Sequence, residues 1–95
     1  MPLFTITCLD KAGVLDLRMA TRPEHLAYVG SFGDAVKLAG PLLDHGDGNP
    51  KGSFFILDIE SEAAAHAFAD SDPYLTAGVF GERTIHAFRQ VIGHL

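Results

Sequence analysis

The chain has 95 residues, of which 47% are apolar, and it carries a formal net charge of −5. This length suits one domain, predicted over residues 1–95, and so apolar a composition excludes an intrinsically disordered chain. Because phosphate binding relies on clustered lysines and arginines, the acidic balance argues against a nucleic-acid partner.

The N-terminal residues and the apolar runs predict the cellular location of the protein. No charged stretch precedes an apolar segment at the N-terminus, and no apolar run approaches ~18 residues, so neither a secretory signal nor a membrane span is predicted. The single cysteine, Cys8, has no partner for an internal disulfide. We therefore expect a soluble, cytoplasmic protein that does not bind a membrane.

The first third of the chain predicts a strand followed by a helix. The β-rich run "LFTITCL" predicts the first strand, and a connector with at most a short helical turn follows it. A helix is predicted to begin near Thr21, because Thr21 and Glu24 have the spacing of a capping box and Pro23 is tolerated in a first turn. Gly33 is predicted to end this helix.

The remaining elements are predicted to be strand, strand, helix and strand. The second strand, "AVKLAGPLLD", should be an edge strand or irregular at Gly40-Pro41, because proline cannot donate to a β-ladder. The turn "HGDGNPKG" joins it to the third strand, "SFFILDIE", as a hairpin. A second helix, "SEAAAHAFADS", has Ser61 as its predicted N-cap. An irregular segment, "DPYLTAGVFGE", then leads to the last strand, "RTIHAFRQVI".

This order predicts an α+β fold of the ferredoxin-like type, βαββαβ, with one four-stranded antiparallel sheet and both helices on one face. The third strand is apolar on both faces: Phe55, Leu57 and Ile59 line one, and Phe54 and Ile56 line the other. Helices can cover only one face, so a second sheet should cover the other. We therefore expect a homodimer whose sheets pack face to face, as in a dimeric α/β barrel.

Known cofactor and metal motifs are not found in the sequence. The five histidines lack the spacing of zinc sites, and the turn around Asp44 and Asp47 lacks the ligand pattern of a calcium loop. No phosphate-binding glycine loop or nucleophile elbow occurs either. We therefore predict neither a metal nor a cofactor.

Several short motifs follow one another across nearly the whole chain. In order, they are Arg22 with His25 in "TRPEHL", Gly40-Pro41, Gly52, and Asp72-Pro73-Tyr74 with Gly78. Together they resemble the YCII-related family of small proteins with a dimeric, ferredoxin-like α/β-barrel fold. The resemblance implies a homodimer with a site built around a histidine–aspartate pair, and a minority of such proteins is linked to lyase-like chemistry on aromatic rings.

The resemblance points to His25 and Asp72 as the pair and to Arg22 as a helper that holds a substrate anion. Gly40, Pro41 and Tyr74 are the other predicted ligand contacts, since an irregular strand at Gly40-Pro41 would leave room beside the sheet. A histidine titrates near neutral pH, and a carboxylate that accepts its N–H fixes the tautomer and favours the imidazolium.

Structural roles are the alternatives for both members of the pair. Asp72 can cap a turn by bonding the backbone near Tyr74, and His25 can form a hydrogen bond inside the core. With a helix that begins at Thr21, the topology also places the two residues at opposite ends of the sheet. The segment after Asp72 must then travel back, or the pair must be completed in another way, within one chain or across a dimer.

Two functions from different classes fit these observations. The first is a proton-transfer enzyme, an isomerase or a lyase, that acts on a small organic molecule and uses His25 as its general base or acid. The second is a non-catalytic small-ligand-binding or regulatory module. Only the first requires His25 to border a cavity with a carboxylate within hydrogen-bond distance.

Overall fold

The computed structural model describes residues 2–95, which form four strands, two main helices and one short helix. Their bounds are β1 Leu3–Asp10, α1 Leu15–Gly30, β2 Val36–Leu43, β3 Pro50–Asp58, α2 Glu62–Asp70, α3 Pro73–Thr76 and β4 Phe80–Phe88. The strands make one antiparallel sheet in the order β2-β3-β1-β4. The predicted ferredoxin-like α+β fold is confirmed, with α3 as an addition between α2 and β4.

The core lies between the helices and one face of the sheet. Ile6 on β1 and Leu57 on β3 point to this side and are at most 1% exposed, and Phe68 of α2 packs with them. Burying each such side chain contributes on the order of 1.5–3 kcal/mol. Ser61 caps α2 as predicted, since its hydroxyl oxygen accepts the N–H of Ala64 at 3.1 Å.

The start of α1 corrects the sequence-based prediction. The helix begins at Leu15, six residues before Thr21, so the Thr21–Glu24 spacing is not a capping box. The Thr21 hydroxyl instead donates to the carbonyl of Leu17 at 2.8 Å, a bond that threonine makes inside helices. Pro23 lies within α1 rather than in its first turn. The part of the predicted connector from Leu15 to Ala20 is therefore helical.

The end of α1 also lies earlier than predicted. The helix ends at Gly30, and Gly33, with φ of 56°, begins a short 3₁₀ turn, Gly33–Ala35, that leads into β2. This turn, rather than the end of α1 at Gly30, requires the left-handed backbone conformation that favours glycine. Across residues 2–95, no helix has both the length and the apolarity needed to cross a bilayer.

The last strand differs from its prediction at both ends. The predicted strand covered residues 83–92, whereas β4 begins at Phe80, which pairs with Asp10, and ends at Phe88, which pairs with Leu3. Pairing with β1 therefore sets its limits. Val91 and Ile92, apolar residues that suggested a longer strand, lie outside the sheet and are 83% and 91% exposed.

The edge strand β2 runs through Gly40-Pro41 without a break. Gly40 pairs with Phe54 and Pro41 pairs with Ser53, while the register shifts lie on either side, between Val36 and Leu38 and between Leu42 and Leu43. The predicted edge position is confirmed by the strand order. An edge strand tolerates proline because one of its sides needs no ladder partner. The predicted irregularity flanks the pair rather than falling on it.

The second face of the sheet carries no helix and exposes several apolar side chains among polar ones such as Thr7, which pairs with Phe54. Phe54 and Ile56 point to this face, as predicted, because their neighbours Phe55 and Leu57 point into the helix-covered core. Leu9, Leu38 and Phe88 share it and are 39%, 40% and 42% exposed. Exposed apolar side chains on one uncovered face of a sheet are typical of protein–protein contacts. A partner sheet on this face stays a prediction.

We expect Phe54→Asp to dissociate or unfold the protein. In a face-to-face dimer the new carboxylate would be buried without a partner, at a cost of several kcal/mol. Light scattering at micromolar protein concentration measures the mass of the assembly that the wild type and each variant form. Ala63→Asp, which adds the same charge to the exposed surface of α2, should leave the assembly unchanged. A wild-type mass near the 10.2 kDa of one chain would contradict the dimer.

Candidate functional site

His25 and Asp72 meet within one chain. The Nδ1 atom of His25 lies 2.7 Å from Oδ1 of Asp72, and the two residues are 7% and 1% exposed. A carboxylate at this position accepts the Nδ1–H bond, which leaves Nε2 as the ring nitrogen available to another molecule. The sequence predicted these two residues as a pair, and the fold brings them together.

The early start of α1 explains how the pair forms. Because α1 begins at Leu15, His25 lies about 15 Å along the helix rather than in its first turns. This distance carries His25 toward the end of the sheet where α2 finishes and Asp72 follows. The segment after Asp72 does not need to travel back. His25 is also removed from the positive end of the helix dipole, which would disfavour an imidazolium.

Asp72 has a structural role at the same time. It is the N-cap of α3, and Oδ1, the atom that contacts His25, also accepts the backbone N–H of Tyr74 at 2.9 Å. The turn-capping role considered from the sequence is therefore present, and so is the pairing with His25. Pro73 at the start of α3 fits this geometry, because its fixed φ suits a first helical position.

Tyr74 packs directly on the histidine. The two ring centroids are 3.9 Å apart with an interplanar angle of 17°, and Phe80 meets the tyrosine ring edge-on at 5.5 Å. Burial raises the pKa of Tyr74, an effect that the nearby charges of Arg18 and Arg22 partly oppose. A phenol has an ordinary pKa of about 10, so that of Tyr74 is protonated at neutral pH and can donate a hydrogen bond.

Arg18 is the residue that the sequence analysis did not single out. It is 3% exposed, and its guanidinium group contacts acceptors on both central strands. Nη1 donates to the two carboxylate oxygens of Asp10 at 2.8 and 3.1 Å. Nη2 donates to the Gly52 carbonyl at 2.9 Å and to the Ser53 hydroxyl at 2.7 Å. Gly52 must be glycine here, because a Cβ would collide with the backbone of β1.

The spacing of Arg18 could have revealed it. Arg18, Arg22 and His25 follow one another at four and three residues, the spacing of neighbours on one helix face. Because the predicted helix began at Thr21, Arg18 was left in a connector. An arginine on a helix face that packs against a sheet must be paired, since burying it alone is too costly.

Arg22 lies one turn away in a different environment. It is exposed, and among residues 2–95 no carboxylate lies within ion-pair distance of its guanidinium group. Its charge is still close enough to act on the Tyr74 hydroxyl. The two arginines therefore differ: the charge of Arg18 is neutralised by Asp10, and that of Arg22 is not.

These side chains border a cavity of about 390 Å³ between α1 and the β2–β3 edge of the sheet. Gly40, Pro41 and Tyr74, the other predicted ligand contacts, all line it. None of the described lining residues is acidic, although the protein is acidic as a whole. The full set is Arg18, Met19, Arg22, His25, Leu26, Val29, Ala39, Gly40, Pro41, Pro50, Ser53, Phe55 and Tyr74.

A second cavity, of about 440 Å³, lies beside the connection between β1 and α1. Asp10, Lys11, Asp16 and Lys51 supply its charges, and it lacks a histidine–carboxylate pair. Its lysines and aspartates offset one another, so it offers less chemistry than the first cavity. Within residues 2–95, no three His, Cys, Asp or Glu side chains are grouped as metal ligands would be. The absence of metal and cofactor stays a prediction.

The motifs and the site can now be compared with known proteins. A model of the YCII-related domain matches residues 2–89. The chain belongs to the YCII-related family. Protein YciI of Escherichia coli O6:H1 is 38% identical over 96 residues, which cover 94% of this chain and 98% of YciI. An uncharacterized protein of Haemophilus influenzae is 33% identical over 95 residues, with coverage of 93% and 97%.

Solved structures show the same fold. The structure of 5-chloro-2-hydroxyhydroquinone dehydrochlorinase (TftG) from Burkholderia phenoliruptrix, in complex with 2,5-dihydroxybenzoquinone, has a TM-score of 0.88 and 31% identity, covering 94% of this chain and 95% of that one. A crystal structure of an antibiotic biosynthesis monooxygenase has a TM-score of 0.58 and 13% identity over 97% of this chain and 100% of that one. At that identity the second likeness shows the fold alone.

We expect His25→Ala to destabilise the protein by about 2–3 kcal/mol, because the buried Asp72 carboxylate loses its side-chain partner. Adding Asp72→Asn should recover part of this loss, since it removes the orphaned charge. Urea unfolding of the single and double variants measures the coupling between the two residues. His66→Ala, at an exposed histidine of α2, should change stability by less than about 0.5 kcal/mol. Additive effects of His25→Ala and Asp72→Asn would contradict an energetic pair.

Cys8 gives a prediction on the pH dependence of folding. Burial, with a smaller contribution from Asp72, raises the pKa of its thiol from 9.0 to about 12. Between these values the folded protein holds the proton more tightly than the unfolded chain does. Stability should therefore fall as pH rises above about 9, by at most ~1.4 kcal/mol per pH unit from this group. Urea unfolding between pH 8 and 10.5 should show a shallower decline in Cys8→Ala, and identical slopes would contradict the assignment.

Proposed function

We propose that this protein catalyses a cofactor-independent proton transfer, an elimination or an isomerisation, on a small hydroxylated aromatic or quinonoid molecule. The observation that carries the proposal is the His25–Asp72 hydrogen bond of 2.7 Å in the wall of a cavity with basic side chains. General acid–base catalysis needs a proton-carrying group beside the substrate and a second group that orients it. We assign the first role to His25 and the second to Asp72.

His25 is the proposed base and acid. Its Nε2 atom takes a proton from the substrate, and the imidazolium that forms is stabilised by the Asp72 carboxylate at Nδ1. Burial of the pair strengthens this stabilisation, because charges interact more strongly away from water. The proton can later return to another atom of the product or to solvent.

Arg22 is the proposed anchor for an anionic substrate oxygen. Its guanidinium has no ion-pair partner among the described residues and lies at the border of the cavity. The Tyr74 phenol, which is protonated at neutral pH, can donate a second hydrogen bond. Gly40 and Pro41 form the opposite wall beside the sheet. A ring that carries ionised hydroxyls would find both a positive charge and an apolar surface here.

The likeness to the dehydrochlorinase suggests the form of the reaction. That protein is named for the loss of hydrogen chloride from a hydroxylated ring. In a keto tautomer, the ring carbon that bears chlorine is saturated. Removal of a hydroxyl proton by His25 then sends an electron pair through the ring, and chloride leaves with the electrons of the C–Cl bond. Proton and chloride together balance the equation, so the step needs no oxidant and no cofactor.

The same proposal covers the setting in which the protein works. One domain acting as a homodimer is supported by the exposed apolar side chains on the helix-free face of the sheet. A cytoplasmic location is supported by the single buried cysteine, since disulfides are typical of oxidising compartments. The non-catalytic alternative predicts the same ligand affinity without turnover.

The test uses 5-chloro-2-hydroxyhydroquinone as substrate and 2,5-dihydroxybenzoquinone as ligand. We expect wild type to release chloride, and His25→Ala to lower kcat by about 10²-fold or more while the quinone still binds. Arg22→Ala should weaken quinone binding by about tenfold and make it less sensitive to salt. The exposed Arg89→Ala is the matched control. Quinone binding without chloride release by wild type would favour the binding module, and neither binding nor release would contradict this substrate class.

A further inference from the structure

Arg18 is a buried cation whose contacts are all to the protein. Asp10 neutralises its charge, and the carbonyl of Gly52 and the hydroxyl of Ser53 occupy its second nitrogen. The group is therefore poorly placed to attract an anionic substrate, in contrast to Arg22. Arg18 is held between β1 and β3 by these contacts, and ligand binding does not explain why it is held there.

The ring of Tyr74 contacts both Arg18 and His25. The guanidinium carbon of Arg18 lies over its ring, 4.5 Å from the centroid, and the His25 ring lies 3.9 Å from the same centroid. Arg18 and His25 are seven residues, about two helical turns, apart on α1. The tyrosine ring fills the interval between them and contacts both.

We propose that Arg18 is a positioning residue for His25 that acts through Tyr74. The guanidinium, held by acceptors on two strands, fixes the tyrosine ring, and the ring sets the plane of the imidazole. Asp72 holds the Nδ1 atom of His25, but a single hydrogen bond still lets the imidazole ring rotate about the line from Nδ1 to Oδ1. The stacked tyrosine removes that freedom, so that Nε2 keeps one direction toward the cavity.

The proposal deepens the proposed function, because orientation of a base matters only where a proton is transferred. Small misplacements of a catalytic group can lower a rate greatly, since the reacting atoms must already be aligned. The Arg18–Asp10 pair has no net charge, so its effect on His25 is geometric. Substitutions at Arg18 should consequently lower kcat, leave KM nearly unchanged and leave the pH profile of kcat in place.

The first measurement is NMR of the His25 ring protons and needs no substrate. Protons over the face of an aromatic ring resonate upfield, so wild type should show an upfield shift that Tyr74→Leu abolishes. Arg18→Lys keeps the ion pair with Asp10 but lacks the planar fork that reaches both strands. We expect it to lose much of the upfield shift. Arg89→Lys, the same exchange at an exposed arginine, should retain the shift.

A second variant covers the case in which Arg18→Lys does not fold. The double variant Asp10→Asn with Arg18→Met removes both charges together, so no buried carboxylate is left without a partner. It should also lose the upfield shift. If either folded variant keeps the full shift of wild type, Arg18 does not position the ring and the proposal is overturned.

The kinetic measurement uses 5-chloro-2-hydroxyhydroquinone. We expect Arg18→Lys to lower kcat by about tenfold with KM changed by less than about twofold. A raised KM with unchanged kcat would overturn the proposal and make Arg18 a binding residue. If wild type itself does not release chloride, the proposed function fails on this substrate, whereas the NMR comparison still decides the role of Arg18.

Discussion

The Asp72 carboxylate is 1% exposed, and a carboxylate removed from water must be given hydrogen-bond donors or it costs several kcal/mol. Its Oδ1 atom has two of them: the Nδ1–H of His25 in α1 and the backbone N–H of Tyr74 in α3. One atom thus ties α1 to the segment between α2 and β4. The same bond gives the imidazole a defined tautomer. The structural and the chemical interpretations of Asp72 are therefore two consequences of one contact.

The two arginines that line the cavity differ in whether their charge is paired within the protein. Arg18 is buried, neutralised by Asp10 and held on β1 and β3, while Arg22, one turn later, is exposed. Burial explains the difference, because a guanidinium is stable in a core only when its charge and its donors are satisfied. The exposed one keeps a charge for a ligand. The cavity of this acidic protein therefore has one positive charge without a carboxylate partner among the described residues, that of Arg22.

The two faces of the sheet form two different surfaces of the protein. The helix-covered face builds the cavity, and the residues that line it, together with Asp72, come from one chain. The opposite face presents Phe54 and Ile56, on the same strand as the cavity residues Ser53 and Phe55. Because side chains alternate along a strand, β3 contributes to both surfaces with neighbouring residues. A partner on the open face would support the strand that carries the site without entering the cavity.

Features that depend on local patterns could be predicted from the sequence. The alternation of β3, the Ser61 cap and the order of elements were enough for the ferredoxin-like fold, whereas the pairing of His25 with Asp72 was implied by the resemblance to the YCII-related family. The start of α1, the burial of Arg18 and the stacking of Tyr74 on His25 were decided by the tertiary structure. In the sequence, Arg18 looks like a polar residue of a connector, because its hydrogen-bond acceptors are distant along the chain. Asp10 lies 8 residues away and Ser53 lies 35 residues away. His25 and Asp72 are 47 residues apart. Periodicity and capping report only neighbours within one or two turns, so a buried charge whose partners come from other elements can be placed only once those elements have packed.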